Sequence, residues 1–308
     1  MSKKHKKQEE VIVETLSEKL SKFYKKSYKF FMVIPVIFFI LAIYFIFQTI
    51  PIDGTPIYRD VSLKGGVSAI VNIDSVIGQE ELLTKLENQY KQNSFSVSEL
   101  YSKGVRSGFV IDTDLEDNEL KSLLNTIFET KFVDGENYNS NVISPSLSNA
   151  FFSQAIKILI VSFVLMSIVI FIYFREFVPS FAVVLSGLFD LIVTLGILDF
   201  FEIKISIAGI GALLMLIGYS IDTDVLLTNR LIKEKGDNYF EKTFDAFKTG
   251  ILMSMTTLFA GLIALYVTNS NVIFQISLIL VIGLLVDMVS TWIQNAGILL
   301  WWLERKNN

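Results

Sequence analysis

The sequence predicts a polytopic α-helical membrane protein: six transmembrane helices, with a ferredoxin-like α+β domain between helices 1 and 2. Three observations predict it. Of 308 residues, 52% are hydrophobic and 26 are phenylalanine, more apolar than soluble domains usually are. Six apolar runs are long enough to cross hydrocarbon at 1.5 Å of rise per residue. Between the first two runs, residues 51–152 switch to a polar, turn-rich pattern. The chain has no cysteine, which excludes disulfides and thiolate nucleophiles, and one histidine, His5, in a lysine-rich tail, which argues against histidine-based metal sites. With no phosphate loop or serine-nucleophile motif either, neither enzymatic chemistry, a bound cofactor nor a nucleic-acid partner is expected.

Residues 1–29 carry nine lysines and read as a solvated cytosolic tail with a short amphipathic helix. Residues 30–50, "FFMVIPVIFFILAIYFIFQTI", form the first span. The run is too long for a signal-peptide core and lacks a small-residue cleavage site, so it is retained.

Residues 51–152 read as β-α-β-β-α-β. The strands are "GGVSAIVNID" from Gly65, "SFSVSELYS", "RSGFVIDTD" and "NSNVISPS", the middle two joined near Gly104. The helices are "QEELLTKLENQYKQN", with Leu82, Leu83, Leu86 and Tyr90 on one face, and "LEDNELKSLLNTIFE", with Leu120, Leu123, Leu124 and Ile127 inward. That order makes a small domain with both helices on one face of an antiparallel sheet. Gly65 and Gly66 are expected to permit a tight turn or bulge before the first strand.

Residues 153–303 supply the other five spans, about Ala155–Phe174, Phe181–Leu198, Ile205–Thr228, Gly250–Val267 and Val272–Trp302. Lysine and arginine concentrate in the N-terminal tail, at Arg175, between Arg230 and Lys248, and in residues 304–308. The positive-inside rule therefore places both termini in the cytosol and residues 51–152 outside. Trp301 and Trp302 suit the headgroup zone at the inner end of the last span.

Four acids sit inside the spans: Asp190, Asp222, Asp224 and Asp287. An aspartate at a helix centre costs roughly 2.5–3.5 kcal/mol in lipid, and four would cost on the order of 10–14 kcal/mol, a typical domain's whole stability. They must face protein, find partners or take up protons. Asp222 and Asp224 point roughly 200° apart on one helix. Asp224 shares a stripe with Ser220 and Thr228, whereas Asp222 shares one with Gly211 and Gly218, where small residues admit another helix. Bases are few: Arg230 and Lys248 near cytosolic ends, Lys157 near an outer end. The pattern suits a proton relay. An intramembrane aspartyl protease would need its two carboxyls a few ångströms apart; these diverge, and that family's Gly-Asp dipeptide is missing.

"IGYSIDTDVLLTNRLIKE" resembles the fourth-span signature of the SecF family, the smaller half of the SecD–SecF protein-export complex, in its archaeal form. "DVSLKGG", "VISPSLSNAFFSQAI", "FDLIVTLG", "KTGILMSMTTL" and "GLLVDMVSTWIQNAGILLWW" are similar to further family segments, in order. The resemblance implies a SecD partner supplying six more spans, an architecture like half of a resistance-nodulation-division (RND) transporter, and association with the SecY channel and translocating polypeptides in the cell membrane. It implies coupling to the proton motive force, with H⁺ or Na⁺ as the ion. Carried over, Asp222 and Asp224 fall in the relay segment, Asp190 matches the third-span acid, Lys248, Thr256 and Thr257 fall in the stretch that partners it, and Gly65 and Gly66 match the glycine pair opening the external domain. The bacterial motif reads Asn-Asp-Thr or Asn-Asp-Ser, so its relay aspartate aligns with Thr223, flanked here by acids. Two other functions fit the residues: a non-coupled scaffold of the export channel, and half of a small-molecule exporter.

Overall fold

The computed structural model describes residues 27–73, 75, 77–90, 93, 95–102, 105–233, 239–268 and 270–306. The basic tail up to residue 26 and the turn near Gly104 lie outside these. Among the described residues six helices are long and apolar enough to cross a membrane. The first, α1 (Val33–Asp53), is capped by Gly54 in a left-handed conformation, whose N–H reaches Ile50 O at 2.9 Å.

The polar insert is the expected βαββαβ unit. It comprises β1 (Gly66–Asn72), α3 (Gln79–Gln89), β2 (Phe95–Ser102), β3 (Val105–Thr113), α4 (Asp117–Phe128) and β4 (Tyr138–Ile143), preceded by a helical turn, α2 (Val61–Lys64). The sheet order is β2-β3-β1-β4, antiparallel throughout. Alternation sends Val67, Ala69 and Val71 to the helical face, where they pack on Leu82, Leu86, Leu120, Leu123 and Leu124. Leu83, Tyr90 and Ile127 pack partly buried at its rim.

Three boundaries differ from the sequence reading. The "LKGG" turn is α2 followed by two glycines with φ of 95° and 137°. A Cβ on Gly65 would lie 2.6 Å from Pro145 Cα, and one on Gly66 would strike Thr113 O. Both glycines are thus demanded by backbone packing. The last strand ends at Ile143, because Ser144 caps a helix through Leu147 N at 3.4 Å, with Pro145 at its first position. The second span therefore begins inside the insert, and the domain ends at Ser144 instead of residue 152.

The bundle comprises α5 (Pro145–Phe174), α6 (Phe177–Phe200), α7 (Ile207–Lys233), α8 (Tyr239–Val267) and α9 (Asn271–Val289). A π-helical segment (Ser290–Asn295) and α10 (Ala296–Lys306) continue the last span. Helices α6 and α7 are the most enclosed, whereas α1, α5 and α8 present mostly apolar surface outward. This suits bilayer hydrocarbon, and the chain is a multi-pass membrane protein. At the end where Tyr28 and Lys306 lie, Tyr28 donates to Glu304 at 2.6 Å and Lys306 pairs with Glu176 at 2.9 Å. Arg305 and Lys306 sit over the Trp301 and Trp302 rings there, as interfacial residues do.

Candidate functional site

Three spans each carry a polar stripe at helical spacing: Ser186, Asp190 and Thr194 on α6, Ser220, Asp224 and Thr228 on α7, and Asp287, Thr291 and Asn295 on the last span. All nine are buried. Around them the bundle packs mainly aliphatic and aromatic side chains. The stripes meet at mid-bundle.

Asp190 accepts from Ser290 Oγ at 2.5 Å on one oxygen and from Ser220 Oγ on the other. Asp224 Oδ1 accepts from Thr291 Oγ1 at 2.9 Å and Asn295 Nδ2 at 2.7 Å. Thr291 Oγ1 also lies 3.1 Å from Asp287 Oδ1. Thr223 Oγ1 lies 2.8 Å from Ser220 O and 3.2 Å from both Asp287 oxygens. Thr228 donates to the Asp224 carbonyl at 2.8 Å.

Each threonine hydroxyl has one proton to give. If Thr223 and Thr291 give theirs along the shorter contacts, to Ser220 O and Asp224, then Asp287 must itself donate to make its own bonds. A proton on Asp287 would supply one of those bonds. Hydroxyls and one amide bond the three acids, Asp287 also lies within bonding reach of the Asp190 carboxyl, and the acids form no metal-ligand group among the described residues. Asn295 Oδ1 is buried without a partner, and Ser186 lies within bonding reach of Asp224. The cluster therefore retains acceptor capacity.

The predicted acids divide between two places. Asp190, Asp224 and Asp287 converge with Ser220, Thr223 and Thr228. Asp222 points away, exposed on a face of α7 where a Cβ on Gly211 or Gly218 would meet nothing within 4 Å. The divergence deduced from helical spacing is present. Lys248, Thr256 and Thr257 do not join the buried acids. Lys248 is exposed beside Asp245 at 3.5 Å, and both threonines bond their own helix at Met253 O. A hydroxyl satisfied by the preceding turn of its own helix has no need of a distant acid.

Sequence reasoning passed over Ser186, Ser290, Thr291 and Asn295. The spacing 287, 291, 295 was available as a signal, but pure α winding drifts about 40° per four residues, which weakens it. The π segment, a form common at functional sites, turns less per residue and returns Asn295 to the cluster. Trp292 on this segment packs against Gly250, where a Cβ would overlap its ring.

Fold and site define a six-span membrane protein with a βαββαβ insert and an acid cluster at bilayer depth. The family described as "Protein export membrane protein SecD/SecF, C-terminal" matches residues 123–305, and the chain belongs to it. Its relatives are SecF proteins: 35% identity to protein-export membrane protein SecF of Methanolacinia petrolearia, over 88% of this chain and 93% of that one, and 33% to SecF of Methanocaldococcus jannaschii, over 90% and 96%. The crystal structure of SecDF, a translocon-associated membrane protein from Thermus thermophilus, superposes with a TM-score of 0.72 at 18% identity. It covers 92% of this chain, which spans 38% of that longer one. That likeness shows the fold alone.

Proposed function

We propose that this chain is the smaller membrane subunit of a SecD–SecF pair that assists polypeptides through the SecY channel, driven by proton movement at its intramembrane acids. Its termini lie in the cytosol and its βαββαβ domain outside the cell membrane, a reading that the distribution of lysine and arginine supports. Asp222, Gly211 and Gly218 face the partner half. Lys248 and the Thr256–Thr257 pair serve the seam through contacts outside this chain. The chain catalyses no covalent chemistry.

The carrying observation is the Asp287–Thr291–Asp224 arrangement, in which one hydroxyl lies within hydrogen-bond reach of two buried carboxyls and no lysine or arginine among the described residues bonds to either. Such a cluster changes its net charge when it takes up or gives off a proton. One charge crossing 100 mV releases about 2.3 kcal/mol, a usable stroke. A non-coupled stabiliser of the channel is the reading that Asp190 favours, because serines already hold both of its oxygens.

Asparagine at Asp222, Asp224 and Asp287, singly and together, separates the two. Secretion is followed with and without an uncoupler. Loss of the uncoupler-sensitive part with normal protein levels is expected. Full uncoupler-sensitive secretion in the triple variant would remove these acids from the mechanism and leave the stabiliser.

A further inference from the structure

The sheet's other face is not covered by its helices. Register sets Ser68 and Ser96 on either side of Asp112, which gives this face a polar patch beside Ile70 and Val110. It overlooks the ends of α7 and α9 across a cavity of about 480 Å³, lined by Asp60, Asp112, Lys204, Ser206, Phe274 and Gln275 among others.

The domain is fastened beside that cavity. Ile205 N donates to Tyr58 O at 2.7 Å and Asp60 N to Ile205 O at 3.0 Å. Ile207 N reaches Ser62 Oγ at 3.3 Å, and Lys204 Nζ reaches the β2 carbonyl of Phe95 at 3.2 Å. One connector, residues 203–206, thus both pairs with the segment entering the domain and carries the lysine that touches the sheet. Asp60 caps α2 through Val61 N at 2.6 Å. The other charged groups of the joint have their own engagements: Arg59 with Asn149 and the Phe152 ring, Lys64 with Asp114, and Asp199 Oδ1 with Tyr58 N. Two carboxyls, Asp60 and Asp112, therefore act on a single lysine.

We infer that this cavity is a proton-responsive latch: protonation of the Asp60–Asp112 pair seats the βαββαβ domain on the membrane bundle, and deprotonation loosens it. Deprotonated, the pair exceeds its one cation and repels within a half-buried space. Protonated, it leaves Lys204 free to hold β2. The titration falls in a useful range. Burial first, then repulsion from Asp112, lifts Asp60 from 3.8 to about 6, against the pull of Val61 N–H and Lys204. Burial also raises Asp112, opposed by Ser68 and Lys204. Both groups hold protons more tightly in the seated form, so their stabilisation is complete below the ordinary carboxylate range. It fades as pH rises through about 6. On the outer face assigned above, a strong gradient would favour the seated state. The latch itself does not depend on the intramembrane coupling.

The chain has no native cysteine, so spin labels can be placed at Glu87→Cys on α3 and Tyr266→Cys at the end of α8, in the full chain with its partner in nanodiscs. From about pH 5 to about pH 8, the distance distribution should broaden and lengthen, with a midpoint near 6. Asp60→Asn, which can still cap α2, and Asp112→Asn should each keep the narrow distribution throughout. Lys204→Gln should move the midpoint upward. Asp224→Asn should leave the response intact, so loss of coupling and loss of the latch remain distinguishable. A distribution unchanged across the range, a response surviving in both asparagine variants, or one abolished by Asp224→Asn would overturn the inference.

Discussion

Thr291 touches two acids with one proton, at 2.9 Å and 3.1 Å. Replacing it with isosteric valine leaves buried acceptors unmatched, a loss of about 1–3 kcal/mol. Thr291→Val should lower the thermal midpoint of the full chain in detergent, while Thr291→Ser, which restores the hydroxyl, should recover most of it. A valine variant as stable as the parent would show that the hydroxyl is not bonded as described. A different physical demand acts at Gly66. Its φ of 137° and the Thr113 carbonyl beside it make Gly66→Ala strained twice over, by roughly 1–3 kcal/mol. Amide exchange in β1 and β3 should then quicken, with α6 and α7 unchanged. The glycine pair was legible as a turn, but the reason for it was not, since Pro145 and Thr113 lie far away in sequence.

At the scale of elements, hydropathy located every span yet misplaced their ends. α5 starts at Pro145 and α8 at Tyr239, well before the apolar windows, because backbone hydrogen bonding continues wherever a cap and helix-compatible residues allow it. The π segment is the element most important to the site, and composition gives little sign of it. Gly250 and Trp292 pack so closely that Gly250→Val should displace the indole, disturb the segment and destabilise by roughly 1–3 kcal/mol. Trp292→Phe in the same chain should restore part of that stability. If the double variant is no better than Gly250→Val alone, the valine acts elsewhere than through the ring.

At the scale of the whole molecule, the chain looks unfinished along one face of α7. Asp222 is exposed at bilayer depth, and Gly211 and Gly218 have open space where a Cβ would go. Gly218→Leu should therefore cost the isolated chain almost nothing while blocking close approach of another helix. Recovery of the SecD partner in co-purification should fall about tenfold, equivalent to about 1.4 kcal/mol, at unchanged thermal stability. Undiminished recovery would place the partner elsewhere.

Sequence by itself determined the six spans, the βαββαβ order and the split between Asp222 and Asp224, because these follow from local periodicity: length in hydrocarbon, alternation in strands, and angle around a helix. Tertiary structure decided which acids meet. Asp190, Asp224 and Asp287 are separated by tens of residues and joined through Ser220, Ser290, Thr223 and Thr291, and contact between stripes on different helices depends on how those helices pack. It also decided that Lys248, Thr256 and Thr257 stand apart from that cluster, and that Asp60 and Asp112 face one lysine across the joint between domain and bundle.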